Sequence, residues 1–419
     1  MFKSINKNTL IAGSFFFCVL YALFVMRPFR SAMAAQIGTS DLTYFLLIVV
    51  LVMLLANPVY SLIVSRVKES RLVTYIYGFF ILNLFLYAFI NNLFPDNYVV
   101  GVSFYIWYNV FNFFVVSVFW AKTVNSFQTD DSKKYFGIIS AFGSAGAWLG
   151  SQSVLLFLAD LPVVAMLCAS VGLILGIVLS RLLNSVSSEI IKKENSGFLS
   201  ELSEQFIQIK SNKLVRQLLI YAFLWTCLAT SLYFFSLEII NKYSTDVVEQ
   251  RKIFSLADSV VTPNSFFSQL FLTRFFLENR FFGIKFVLIT YGVLFSIAFF
   301  AISGYMANIL LSSSGVILFI ILSAVMRPFE YAINKPARES VYTTLEKSEK
   351  YKSTVFIDTF TNRFGDASGG LLFNALIVLG LSLSLAPIAI IPLAIYLSMQ
   401  GRSIATKSCL LYTSPSPRD

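Results

Sequence analysis

Histidine is absent from this 419-residue chain, and charged residues make up only 13% of it. Without histidine, the protein has no imidazole for metal binding, general base catalysis or proton relay. Any proton carried by a side chain must therefore use aspartate or glutamate. Soluble domains carry about 25% charged residues, so the low charge excludes a soluble globular enzyme.

Cysteine is also scarce, and its four copies are isolated from one another along the chain. No pair has the spacing of a metal site or of a disulfide framework, and three lie in apolar stretches. We expect small packing residues, with no metal and no cofactor. The four are Cys18, Cys168, Cys227 and Cys409.

Apolar residues make up 57% of the chain, and the mean hydropathy is +0.74. A membrane-spanning helix needs about 20 predominantly apolar residues, so this content predicts an all-α polytopic membrane protein. The first apolar run lacks a small-residue cleavage site, and we interpret it as an uncleaved span. The twelve predicted spans are 10–29, 42–64, 72–93, 99–121, 136–158, 162–183, 215–240, 258–276, 284–302, 307–333, 355–380 and 383–399.

The net charge of +10 comes from 32 Lys and Arg against 22 Asp and Glu. In a soluble protein this excess would suggest nucleic acid, but cytoplasmic loops of membrane proteins are also basic. With the N-terminus inside, 25 of the 32 cations fall on the cytoplasmic side. We therefore expect no nucleic acid, and an N-in, C-in protein of the bacterial cytoplasmic membrane.

A polar, charged stretch divides the spans into two groups of six. Its apolar residues have helical spacing, which predicts an amphipathic linker helix at the membrane surface. The last eleven residues resemble translated sequencing-adapter read-through, and we expect the natural C-terminus to be missing. The predicted domains are a six-helix bundle 1–184, the linker 185–214, a six-helix bundle 215–408 and the tail 409–419.

Several local runs carry a resemblance to a known family. The runs are Arg27–Met33, Leu55–Pro58, Val64–Arg66, Asn112–Trp120, Lys335–Glu339, Glu349–Lys352 and Phe356–Thr359. With the six-plus-six arrangement, they resemble the major facilitator superfamily, and within it the bacterial branch related to ATP/ADP (NTP/NDP) exchange translocases. The resemblance implies a two-bundle fold in which spans one, two, seven and eight close the outer side. Spans four, five, ten and eleven would close the inner side.

Charges inside the membrane are costly and are usually paired or functional. Two clusters fall on the two sets of closing spans, and we interpret them as alternating salt-bridge gates; permanent bracing of helix ends is the alternative. The outer cluster is Arg27, Arg30, Glu238 and Asp258. The inner cluster is Arg327, Glu330, Asp358, Arg363, Asp366 and Lys122.

A short internal repeat relates the two bundles, because Val25–Phe29 recurs as Val325–Phe329. Each copy contains a proline, Pro28 or Pro328, which predicts a kink or a helix end there. Span five carries Gly143, Gly146 and Gly150, a small-residue face for helix packing rather than a phosphate-binding loop.

Polar and aromatic residues on the spans are candidates for the substrate cavity, with interhelical hydrogen bonding as the alternative. They are Asn109, Asn112, Tyr105, Tyr108, Trp225, Tyr233, Asn264 and Gln269.

The pattern favours a monomeric secondary transporter that moves a small solute by alternating access, not an enzyme. A coupling proton or a counter-substrate is an expected partner, as is the lipid bilayer. The solute could be anionic or nucleotide-like, but five intramembrane cations balance five anions, which weighs against ATP. An ATP/ADP-type exchanger, a lipid flippase or receptor, and a membrane enzyme using Asp130 and Asp131 are the alternatives.

Overall fold

The computed structural model describes residues 7–67, 69–95, 97–124, 126–127, 129–183, 212–278, 283–309, 314–342, 345 and 357–413. Every regular element within these ranges is helical. The predicted linker falls almost wholly outside them, as do residues 414–419 of the predicted tail.

Twelve long helices follow one another along the chain, as predicted. They are α1 Lys7–Ile37, α2 Thr39–Arg66, α3 Glu69–Leu93, α4 Tyr98–Val124, α5 Thr129–Ser153, α6 Pro162–Leu182, α7 Lys213–Tyr243, α8 Val247–Phe267, α9 Gly283–Met306, α10 Gly315–Pro328, α11 Asn362–Val378 and α12 Ala386–Thr413. Four π-helical segments extend them: Val154–Leu158 after α5, Ser268–Leu272 after α8, Phe329–Asn334 after α10 and Ile357–Thr361 before α11. Short α-helical ends follow two of these, at Thr273–Glu278 and Lys335–Tyr342.

Ten helices of the described chain are long and apolar enough to cross a membrane, and the chain is a multi-pass membrane protein. The two that do not meet this measure are α8 and α11, which carry Arg251, Asp258, Arg363 and Asp366. A polar helix within a membrane is tolerated when it faces the protein interior or a water-filled cavity.

Several predicted span edges are wrong, all near charges. The helix α1 continues through Pro28 to Ile37, and α8 begins at Val247 rather than at 258. The helix that starts with α10 runs on to Tyr342 instead of ending at 333. Hydropathy marks where a span becomes polar, whereas the helix itself continues wherever its charged side chains find partners inside the protein.

Contacts divide the chain into two compact units. Unit 1 comprises residues 1–38, 51–193 and 244–263, and unit 2 comprises residues 39–50, 194–243 and 264–419. The helices α2 and α8 each contribute to both units, so that the N-terminal half of α8 packs in unit 1 and that of α2 in unit 2.

Unit 1 is built around α1, which packs against α4, α5 and α6. Its centre is aromatic: Phe15, Phe111 and Phe119 are fully buried. The buried Tyr77 hydroxyl donates to the Val115 carbonyl at 2.9 Å, which fixes α3 against α4. In unit 2, α7 takes the place of α1 and packs against α11 and α12, while α9 packs against α12.

Glycines allow the closest of these approaches, as the small-residue face on span five predicts. A Cβ atom at Gly146 would overlap the backbone carbonyl of Phe17 on α1, and one at Gly150 would press on that of Tyr21. On α11, Gly369 meets the Cys227 carbonyl of α7 in the same way. The predicted packing face is confirmed, and unit 2 repeats it.

Two prolines, Pro328 and Pro336, flank the π-helical segment after α10. Pro328 ends the regular helix, and Pro336 has no N–H to offer the Ala332 carbonyl four residues earlier. The Thr273 hydroxyl donates to that carbonyl instead. A side chain from a neighbouring helix thus supplies a hydrogen bond to the Ala332 carbonyl, which lipid could not provide.

We expect Gly146→Ala to destabilise unit 1, because its Cβ atom would meet backbone atoms that cannot move aside. Overpacking of this kind costs about 1–3 kcal/mol. The matched control is Gly137→Ala on the same helix, where an added Cβ would meet nothing within 4 Å. Thermal unfolding of the purified variants in detergent measures the difference; equal melting temperatures would contradict the packing.

Candidate functional site

An ion pair joins α1 to the N-terminal half of α8 within unit 1. Arg27 Nε lies 3.5 Å from Asp258 Oδ2, and the Asp258 side chain is only 3% exposed against 29% for Arg27. The Arg27 guanidinium also lies over the Phe24 ring, 5.1 Å from its centroid. The structure therefore brings together two members of the predicted outer cluster, and their role as a gate stays a prediction.

Further polar contacts hold the same half of α8, and we call the whole set the α8 attachment. Gln36 donates to the Thr245 carbonyl and to Gln250 Oε1, both at 3.1 Å. Arg251 donates to the Ala159 carbonyl at 3.0 Å. The set is completed by Ser255 donating to the Ser151 carbonyl at 2.5 Å and Arg251 stacking on Phe29 at 4.6 Å.

Sequence reasoning missed Gln36, Arg251 and Ser255. A signal was present, because Arg251, Ser255 and Asp258 recur at i, i+4 and i+7, the spacing of one helix face. The predicted span began at 258 and so left the first two in a loop.

The other two members of the outer cluster have different partners. Arg30 donates through Nη2 to the Tyr105 hydroxyl at 3.3 Å, and its guanidinium lies 4.6 Å from the centroid of that ring. Glu238, which belongs to unit 2, accepts a hydrogen bond from the Thr39 hydroxyl at 2.6 Å.

The N-terminal half of α2 is held in unit 2 by a similar set of contacts, the α2 attachment. Besides the Thr39–Glu238 bond, Asn374 of α11 donates to Thr43 Oγ1 at 2.9 Å and to the Ser40 carbonyl at 3.1 Å. Thr43 donates to the Gly370 carbonyl at 3.2 Å. The two attachments correspond in position along the two halves of the chain, but only the α8 attachment contains an ion pair.

A buried charged network forms around the π-helical segment of unit 2. Glu330 accepts from Arg338 Nη2 through one oxygen and from Asn334 Nδ2 at 2.6 Å through the other. Asn334 in turn accepts from the Tyr221 hydroxyl of α7 at 2.8 Å. The guanidinium of Arg338 lies 4.8 Å from the centroid of the Trp225 ring. Glu330, Arg338, Asn334 and Tyr221 are all buried.

The π-helical segment explains how Glu330 and Arg338 meet. Eight residues make about 2.2 turns of a regular α-helix, which would leave the two side chains about 80° apart. A π-helical turn, with its i→i+5 bonds, holds about one extra residue. The eight residues then make nearly two whole turns, so both side chains lie on one face.

This network corrects one sequence interpretation. Arg338, which the distribution of cations placed in a cytoplasmic segment, is buried in a helix and pairs with Glu330, a member of the predicted inner cluster. The count of five cations against five anions therefore omitted a buried arginine. Hydropathy could not identify Arg338 as buried, because the polar residues Lys335, Pro336 and Glu339 around it are typical of a loop.

Two further members of the predicted inner cluster are joined within the described part of the chain. Arg363 Nη1 and Asp366 Oδ2 lie 3.3 Å apart within α11, and Thr230 of α7 donates to Asp366 at 3.1 Å. Lys122 is buried in the last turn of α4. The side chain of Asp358 lies outside what the structure describes.

The predicted cavity residues differ in burial and in their hydrogen bonds. Tyr105 and Tyr108 are buried, and Tyr108 donates to the Leu23 carbonyl at 3.0 Å. Asn109 donates within its own helix at 2.8 Å, and Asn264 donates to the Ala324 carbonyl of α10 at 2.6 Å. Asn112 and Gln269 are exposed, and Trp225 and Tyr233 are half-buried.

Among the described residues, no cluster of Cys, Asp or Glu could hold a metal ion.

No family model and no curated protein matches this chain, but solved structures of very different sequence share its fold. A mutant of the nucleoside transporter NupG matches with a TM-score of 0.66 at 13% identity, over 97% of this chain and 100% of that one. The POT family transporter PepTSo matches with a TM-score of 0.64 at 12% identity, over 97% and 99%.

A bacterial homologue of the human lysosomal transporter Spinster matches with a TM-score of 0.53 at 10% identity, over 96% of this chain and 95% of that one. These similarities confirm the predicted fold: an all-α, major facilitator-like membrane protein.

We expect Glu330→Gln to destabilise the protein strongly, because it leaves the buried Arg338 without its counter-charge. Breaking a buried ion pair from one side costs about 3–5 kcal/mol. Asp366→Asn is the control, since the Arg363 and Asp366 side chains are 37% and 31% exposed, and such pairs contribute about 0–1 kcal/mol. Thermal unfolding in detergent should separate the two variants; equal shifts would refute the burial of the Glu330 network.

Proposed function

We propose that this protein is a secondary active transporter that moves a small solute across a membrane by alternating access. The observation that carries the proposal is the major facilitator-like fold, shared over nearly the whole chain with NupG and PepTSo. Those proteins are transporters by name, and the charged residues inside the helices of this chain fit the same work. The intramembrane charges would be costly to retain without a function.

We further propose that the α8 attachment opens and closes during the cycle. It consists of one ion pair and several hydrogen bonds, so each contact can be exchanged for water at small net cost. A solute then needs to supply only a small difference in binding free energy to shift the equilibrium. The hydrophobic face of a packed helix would be harder to release.

The finer features of the proposal rest on the sequence. The distribution of Lys and Arg supports an N-in, C-in protein of the bacterial cytoplasmic membrane, even with Arg338 removed from the cytoplasmic count. The resemblance to ATP/ADP exchange translocases supports nucleotide exchange as a second candidate. The pairing of Arg338 by Glu330 weighs against it, because that arginine adds no free positive charge for phosphates.

We expect Arg27→Ala to raise the accessibility of α8 from the outer side and to lower transport. The readouts are maleimide labelling of a cysteine placed at Ser259, and solute counterflow in proteoliposomes; both use a background in which the native cysteines are replaced. Lys242→Ala is the matched control, because it removes an outer-side cation whose contacts with Asn308 and the Tyr305 ring lie within unit 2 and not in the α8 attachment. Unchanged labelling and unchanged counterflow in Arg27→Ala would refute the gate.

A further inference from the structure

We propose that Trp225 and Arg338 form part of a solute-binding site that takes an uncharged oxygen acceptor, such as the carbonyl group of a nucleobase or an amide. This inference rests on the proposed transport function and names the substrate class. It begins with two buried N–H groups, Trp225 Nε1 and Arg338 Nε, for which the described residues offer no acceptor.

The two donors belong to one cluster. The Arg338 guanidinium lies over the Trp225 ring and donates through Nη2 to the Glu330 carboxylate, which also accepts from the Asn334 amide. These contacts hold the two donors within one cluster. A buried donor without an acceptor costs about 1–3 kcal/mol, and a bound solute oxygen would recover that cost.

The charges of the network indicate an uncharged acceptor. Glu330 already neutralises Arg338, so an anion bound here would add an uncompensated charge in a membrane interior. A carbonyl oxygen can accept two hydrogen bonds with its two lone pairs and adds no charge. Trp225 is half-buried, so part of its ring is accessible, although its Nε1 atom and Arg338 are buried.

A second tryptophan provides a comparison within the same chain. Trp107 Nε1 is also buried and has no acceptor among the described residues. Its ring, however, is stacked on Phe111 at 4.9 Å and packed against Phe80 at 5.9 Å. Among the described residues, no ion pair touches these rings, so this buried N–H group lacks the charged network that surrounds Trp225.

The test measures thermal stabilisation of the purified full-length protein by three matched pairs of solutes. The pairs are uridine and uridine 5′-monophosphate, nicotinamide and nicotinate, and N-acetylphenylalaninamide and N-acetylphenylalanine. At least one neutral solute should stabilise the wild type, and its anionic counterpart should bind at least about tenfold more weakly. Stabilisation by none of the neutral solutes, or equal affinity for an anionic counterpart, would overturn the proposal.

Trp225→Phe keeps an aromatic ring and removes only the indole N–H, so it should fold normally. We expect it to bind the neutral solute about fivefold more weakly, the loss of one hydrogen bond. Trp107→Phe should leave the affinity unchanged. Equal binding by wild type and Trp225→Phe would refute the site, whereas counterflow of an anionic solute alone would refute it and leave the transport function standing.

Discussion

The need to pair charges inside a membrane governs the rest of this structure. A charge left alone at mid-bilayer costs at least about 2.5–3.5 kcal/mol. Three arginines inside helices are accordingly held by a carboxylate, a carbonyl or an aromatic ring. Arg27 lies against Asp258, Arg251 against a backbone carbonyl and Phe29, and Arg338 against Glu330 and Trp225. These pairings determine where helices continue past their apolar stretches.

The same requirement produces two kinds of charged contact. The Glu330–Arg338 pair is buried with its hydrogen-bonding capacity largely used by Asn334 and Tyr221, which suits a fixed element of unit 2. The Arg27–Asp258 pair is longer and partly open to solvent on the arginine side, which suits a contact that opens. The α2 attachment uses neutral donors, and only one of the hydrogen bonds given above for it, from Thr39, goes to a carboxylate, Glu238. The two attachments therefore differ in their chemistry.

The architecture was predictable because apolar runs of membrane length leave few alternatives to helices. The grouping of Arg27 with Asp258 in one outer cluster followed from the distribution of Lys and Arg together with the closing spans that the resemblance implies, and the structure pairs the two. Arg338 could not be found in this way, because a π-helical turn and Pro336 change the register and mask a helix that continues. Nor could Gln36, whose amide bonds to α8 depend on a helix extending eight residues past the predicted edge of span one.

The central claim, that the α8 attachment opens during transport, is tested most directly by distance measurement. Spin labels at Tyr98 and Lys252, both exposed residues of unit 1, report the separation of α8 from the start of α4 in proteoliposomes. The account predicts two distance populations, with the longer one increased by Arg27→Ala. A single population that neither Arg27→Ala nor Asp258→Asn changes would contradict it.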